Sequence, residues 1–198
     1  MSPKFVSQRS PLRRLGRVAA AFAVIGCVST GCTATPNQEQ AMDAVEYHDV
    51  VVNLVIDTTE QLDVDGWQAN HGAAKPEGCT LENGETGAAY KFSLWAERGT
   101  AYEADAQRVA EYWESLGMDT RVVDHGGYPV VYATGGPVQR ASFTTDAAQE
   151  SYRVGAISYC APGDPRELRT TADERRKNGE RLPGDEYVPE ENISDKYR

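Results

Sequence analysis

The stretch that decides the fold is Ala88-Ala89-Tyr90-Lys91-Phe92-Ser93-Leu94-Trp95. Ala88, Tyr90, Phe92 and Leu94 alternate with Ala89, Lys91, Ser93 and Trp95. Successive side chains of a strand point to opposite faces, so one face here is apolar and the other mixed. Such a strand is half-buried, and its apolar side needs a covering layer.

Two neighbouring segments can supply it. From Ala41 onward, Val45, His48, Val52, Val55, Thr59 and Leu62 recur at spacings of three and four, with acids on the other faces, and Asp65-Gly66 ends the pattern. That is an amphipathic helix of about five turns. Its acidic polar face excludes a membrane-surface helix, which needs a basic one. A second helix is expected over residues 102–116, with Tyr102, Ala106, Val109, Trp113 and Leu116 as its stripe and Gly117 as its stop. Residues 66–87 read as loop, with a short strand at 80–82 leading into the turn pair Asn83-Gly84.

Residues 120–124, 129–134, 138–145 and 151–159 are short β-branched and aromatic runs, punctuated by Gly126-Gly127, Gly135-Gly136 and residues 146–149. They read as an antiparallel meander. The expected fold is therefore α+β: two helices on one face of a single, mostly antiparallel sheet of about four to six strands, in the order α-β-α-β-β-β. Residues 41–161 form this one domain. Residues 162–198 carry four prolines, mixed charges and few aliphatics, and are expected to be a disordered or loosely attached tail.

The other end has a different character. Lys4, Arg9, Arg13, Arg14 and Arg17 precede an uncharged apolar run at residues 18–28, and Ser29-Thr30-Gly31-Cys32 follows. This is the layout of an export signal, with an apolar run well short of the ~20 residues that span a bilayer. Small residues before a cysteine resemble a bacterial lipobox. Cys32 is the expected lipidation site, since Cys27 would leave Arg17 very close to the cleavage point. Residues 1–31 are then signal peptide and 32–40 a tether.

Removing the signal takes away five bases and no acid. The 20 Lys and Arg fall to 15 against 30 Asp and Glu, a net charge of −15. That field opposes nucleic acid as a partner. With Cys27 discarded and Cys32 acylated, Cys79 and Cys160 remain, and in an oxidising compartment an even remainder reads as a disulfide.

Enzymatic signatures are missing: no G-x-S-x-G, H-E-x-x-H or phosphate-binding glycine loop is present. His48, His71 and His125 stand in unrelated contexts, with His48 expected in or beside the core. Asp63-x-Asp65-Gly66 resembles the opening of a calcium loop but lacks the later bidentate acid, so it reads as a helix stop. No metal or cofactor is implied. The more suggestive feature is aromatic: Trp95 shares the mixed strand face with Lys91 and Ser93, and Tyr128, Tyr132 and Tyr152 are candidates to extend it into a binding face.

A lipobox cysteine, a long helix, the Trp67…Cys79 segment, a strand starting near Gly87-Ala88-Ala89-Tyr90, a helix ending in Gly117 and a meander closing at Cys160 together resemble the small lipoproteins of actinobacterial cell envelopes, in particular the LppA-like family. The resemblance implies a palmitoylated envelope lipoprotein with a disulfide joining the first sheet segment to the last strand, and brings no catalytic residues. The expected function is a non-enzymatic binding or accessory module, held to the membrane through its lipid and meeting an envelope protein or small ligand on the extracytoplasmic side. An envelope hydrolase or transferase of unrecognised type, and an immunity- or inhibitor-type lipoprotein, are the alternatives.

Overall fold

The computed structural model describes residues 42–146 and 150–185. The expected signal peptide, Cys27, Cys32, the tether and residues 186–198 lie outside them. Among the described residues three helices and eight strands follow one another: α1 (Ala44–Thr59), β1 (Gln68–Ala69), β2 (Lys75–Thr80), β3 (Thr86–Glu97), α2 (Tyr102–Ser115), β4 (Asp119–Asp124), β5 (Pro129–Thr134), β6 (Arg140–Asp146), β7 (Ser151–Ile157), β8 (Ala161–Pro162) and α3 (Pro165–Lys177). The strands make one antiparallel sheet in the order β1-β3-β7-β6-β5-β4, with β2 and β8 also pairing with β3. The α+β class is as expected. The third helix and the short strands β1 and β8 are additions, and β2 runs over 75–80, within the stretch expected as loop, in place of the short strand expected at 80–82.

Alternation decides the layering. Along β3, Ala88, Tyr90, Phe92, Leu94 and Ala96 are buried, while Lys91, Ser93 and Trp95 are half-buried. The register carries this division across the sheet, so Val154 and Ala156 of β7, Ala141 and Phe143 of β6, and Val131 and Ala133 of β5 lie on the same buried face. Onto it pack α1, against β3 and β7, and α2, against β4, β5 and β6. The two helices are joined where Trp113 Nε1 donates to Thr58 Oγ1 at 2.9 Å; that hydroxyl donates in turn to the Leu54 carbonyl.

Local chemistry sets the helix ends and shifts two expected stripe residues outward. Asp43 caps α1 by accepting from the backbone N–H groups of Val45 and Glu46, and Glu46 returns a bond from the Asp43 N–H. With that start, Ala44, His48, Val51, Val52 and Val55 face the core and Val45 is 57% exposed. At the other helix, Leu116 is already the C-cap beyond α2, and it is exposed rather than on the stripe.

Cys79 and Cys160 form the expected disulfide, across a separation of 81 residues. In the chain-entropy model, closing a loop of that length stabilises the fold by about 4–5 kcal/mol. Cys79 pairs with Gly87 on one edge of β3, and β8 begins just after Cys160 on the other edge. The bridge therefore crosses β3 at Gly87. A Cβ there would lie 2.9 Å from the Cys160 sulfur and 2.5 Å from the Ala161 carbonyl oxygen, so no larger residue fits.

The expectation of a disordered tail from residue 162 is overturned as far as residue 185. Asp164 caps α3 by accepting from the Arg166 and Glu167 N–H groups, Pro165 opens the helix, and Arg175, Arg176 and Lys177 occupy its last turn. The helix buries no whole residue, which is why an apolar-face criterion misses it. What holds it is Leu168, packed on the core, and an ionic clasp beyond it. Asp185, 6% exposed, accepts from both terminal guanidinium nitrogens of Arg175 (2.5 and 3.0 Å), from Arg176 at 2.9 Å and from the Leu182 N–H. Gly184 is buried against Val52 of α1, and its carbonyl accepts from the Ala74 N–H at 2.7 Å.

Burial pushes the Asp185 carboxyl up, but the Arg175, Leu182 and Arg176 hydrogen bonds outweigh it and hold the pKa at about 2, below the ordinary 3.8. A depressed folded pKa contributes stability that is complete above pH ~4 and lost as pH falls through about 2. Asp185→Asn, which leaves the two guanidiniums without their counter-charge, is expected to cost about 3–5 kcal/mol in the C-terminal segment. Limited trypsin digestion at neutral pH checks this, since cleavage near Arg175 to Arg181 should accelerate strongly in the variant; in the parent, hydrogen-exchange protection of the same segment should drop as pH falls from about 4 toward 2.

Candidate functional site

All three helices lie on one side, since α3 begins where Gly163 approaches Ala44 of α1 and Ala88 of β3, both on the buried side. The opposite face of β3-β7-β6-β5-β4 carries no helix among the described residues. Its side chains follow from the register. One row across the strands reads Lys75, Lys91, Ile157, Arg140, Thr134, Asp119; the next reads Ser93, Gly155, Ser142, Tyr132, Arg121; a third reads Gln68, Trp95, Arg153, Thr144, Val130, Val123.

Small residues in the middle row make a trough. Ser93, Gly155 and Ser142 are its floor, and a Cβ added at Gly155 would stand 3.1 Å from the Ser93 Cβ. Around them lies a groove of about 590 Å³, lined among others by Lys91, Arg121, Arg140, Arg153 and Tyr132. Among the described residues no Asp or Glu lines it. Across the floor, β3 to β4 is four strand steps, or roughly 19 Å.

The tyrosine is shaped by its neighbour. Tyr132 is 40% exposed, and the Arg121 guanidinium lies over its ring at 5.2 Å from the centroid. One ring face is thereby occupied, while the phenol edge stays accessible to the groove.

The four aromatic candidates do not gather. Tyr132 is in the groove. Trp95 is on the same sheet face as expected, half-buried, but it borders a separate polar recess with Glu97, Arg98 and Glu150. Tyr128 turns instead toward the start of α2, its ring 5.4 Å from that of Tyr102 and under the Arg98 guanidinium. Tyr152 is fully buried on the helix side, edge-on to Phe143, and donates its hydroxyl to Asp105 at 2.6 Å. Strand parity puts it there: it pairs with Ala96, a core position of β3. Burial and the bonded Asp105 carboxylate push its pKa well above the ordinary phenol value.

The histidines also separate. His48 is buried on α1, its ring edge-on to Tyr90 at 5.1 Å and its Nδ1 2.8 Å from the Asp49 carboxylate. His125 is exposed in the β4–β5 turn. His71 alone reaches the groove, near Ser93, with no hydrogen bond joining the two. Among the described residues no group of acids, His and Cys is placed to hold a metal.

The basic residues were the feature missed in the sequence. Lys91, Arg121, Arg140 and Arg153 are scattered over 63 positions, and only the strand register brings them to one face. The signal was there as parity: each falls on the outward phase of its own strand.

No protein-family model and no curated protein matches this sequence. A solved structure of a DUF4853 family protein from the actinobacterium Actinomyces odontolyticus is similar over 61% of this chain and 67% of that one, with a TM-score of 0.45 and 12% identity. A likeness at that level carries no functional argument.

If Tyr152 is a core residue and not part of a binding face, Tyr152→Phe should lower stability by about 1–3 kcal/mol, because the buried Asp105 carboxylate loses a donor. Denaturant titration measures this, and chemical shifts of Ser142 and Tyr132 should stay unchanged.

Proposed function

We propose that this protein is a lipid-anchored, extracytoplasmic binding module that presents the helix-free face of its sheet to a ligand or partner of the cell envelope. The observation that carries the reading is the groove itself. An antiparallel sheet can leave one face to solvent, and this one leaves a concave surface lined by side chains that make directed contacts. The anchor part of the reading rests on the basic start, the short apolar run and Cys32 in the sequence. Among the described residues no helix is long and apolar enough to cross a membrane.

Two experiments test the two parts. Cys32→Ala should shift the protein from the membrane to the soluble fraction or leave its precursor unprocessed; continued normal lipidation moves the site to Cys27. For the face, a photo-crosslinking residue at Ser142, in the trough, is compared with one at Glu111 on the exposed side of α2. Adducts specific to position 142 are expected in intact cells. Adducts confined to position 111 would move the binding surface to the helical layer.

A further inference from the structure

The geometry points to a hydroxylated oxyanion as the ligand of the groove: a short glycan bearing carboxylate or phosphate groups. This rests on the reading of the open face as the binding surface and adds what that surface selects. Residues 42–162 hold seven Lys and Arg. Lys75, Lys91, Arg121, Arg140 and Arg153 stand on this face by strand register. The other two, Arg98 and Arg108, are elsewhere and ion-paired, with Glu150 and Asp105.

Three cations of the face are left without a counter-charge. Lys91, Arg121 and Arg140 form no ion pair among the described residues, although the chain as a whole has 30 acids to 20 bases. Lys75 and Lys91 stand directly opposite one another on neighbouring strands, an arrangement that costs stability through like-charge repulsion. A bound anion would relieve that repulsion. Guanidiniums suit carboxylate and phosphate oxygens in particular, through paired N–H donors.

The floor decides between kinds of anion. Ser93, Ser142, Thr134 and Asn70 offer hydroxyl and amide groups that both donate and accept, which matches a ligand rich in hydroxyls. A dense polyanion such as nucleic acid fits less well. It would run past a floor of roughly 19 Å onto acids at the margins, such as Asp119 on β4 and Glu97 at the end of β3. Its stacking needs an open aromatic plane, and Arg121 covers one side of Tyr132.

The test is calorimetric titration of the detergent-solubilised full chain with trigalacturonate, long polygalacturonate, a sugar phosphate, neutral maltotriose and a single-stranded oligonucleotide. Trigalacturonate or the sugar phosphate should bind, with affinity falling as salt rises, and maltotriose should not. Arg121→Gln and Arg140→Gln should each weaken binding about tenfold or more, the loss of a charge-assisted hydrogen bond, with the unfolding temperature unchanged in the Arg140 variant and slightly lowered in the Arg121 variant by loss of its contact with Tyr132. Equal affinity per site for short and long galacturonate supports a short glycan, and a steep gain with length would overturn that choice in favour of a polymer. No binding of either anion at millimolar concentration, indifference to both substitutions, or tighter binding of the oligonucleotide would overturn the inference. Maltotriose binding that is lost in Gly155→Val would overturn it too, while leaving the binding face in place.

Discussion

The strict two-residue alternation of β3 constrains everything around it. Thr86–Glu97 is paired on both edges, with β1 and β2 on one side and β7 and β8 on the other. Once its even-numbered residues are committed to the core, antiparallel register commits every neighbouring strand to the same phase. A slip of one residue would bring Lys91 and Arg153 into the core and expose Phe92 and Val154. The helices have one side on which to bury their stripes, and the other side is left as a surface. The groove is thus a by-product of layering before it is anything else, and its chemistry is written by whichever residues fall on the outward phase.

That phase separates charge in an unusual way. Exposed acids crowd the helical layer, where Glu46, Asp49 and Asp57 stand on α1, Glu60 at its C-cap, and Glu103, Glu111 and Glu114 on α2. Five of the seven bases of residues 42–162 face the other way, while Arg108 and the bases of α3 stay on the helical side. A single net charge describes neither surface, and the argument drawn from the expected −15 against nucleic acid applies to the acid-rich helical side. A local field is felt over a distance near the Debye length, about 8 Å at physiological salt, and the groove lies within one face.

How much of this could be read beforehand follows from how far apart the determining residues are. Periodicity of three to four marked α1 and α2, and alternation marked β3 to β7 within a residue or two, because these signals are local. Local signals for α3 were present as well: Asp164 before Pro165, and three bases in the last turn. They were outweighed by the lack of an apolar face, and the segment is in fact held by Asp185 with Arg175 and Arg176, a contact no periodicity reports. Tyr152 was ambiguous until its partner Ala96 fixed its phase. The groove needed the register of five strands at once, and so it was not legible from any one of them.

The long central pairing also sets an order of events. Lys91 meets Ile157, 66 residues later, whereas β4, β5 and β6 join through short turns. Local hairpins form quickly and distant pairings slowly. As the chain grows from its N-terminus, one edge of β3 therefore has no mate until the seventh strand has been synthesised, and the bridge to Cys160 closes later still. A sheet finished by its penultimate strand leaves the central strand half-paired for most of the chain's synthesis, and folding becomes committed only once the seventh strand is available.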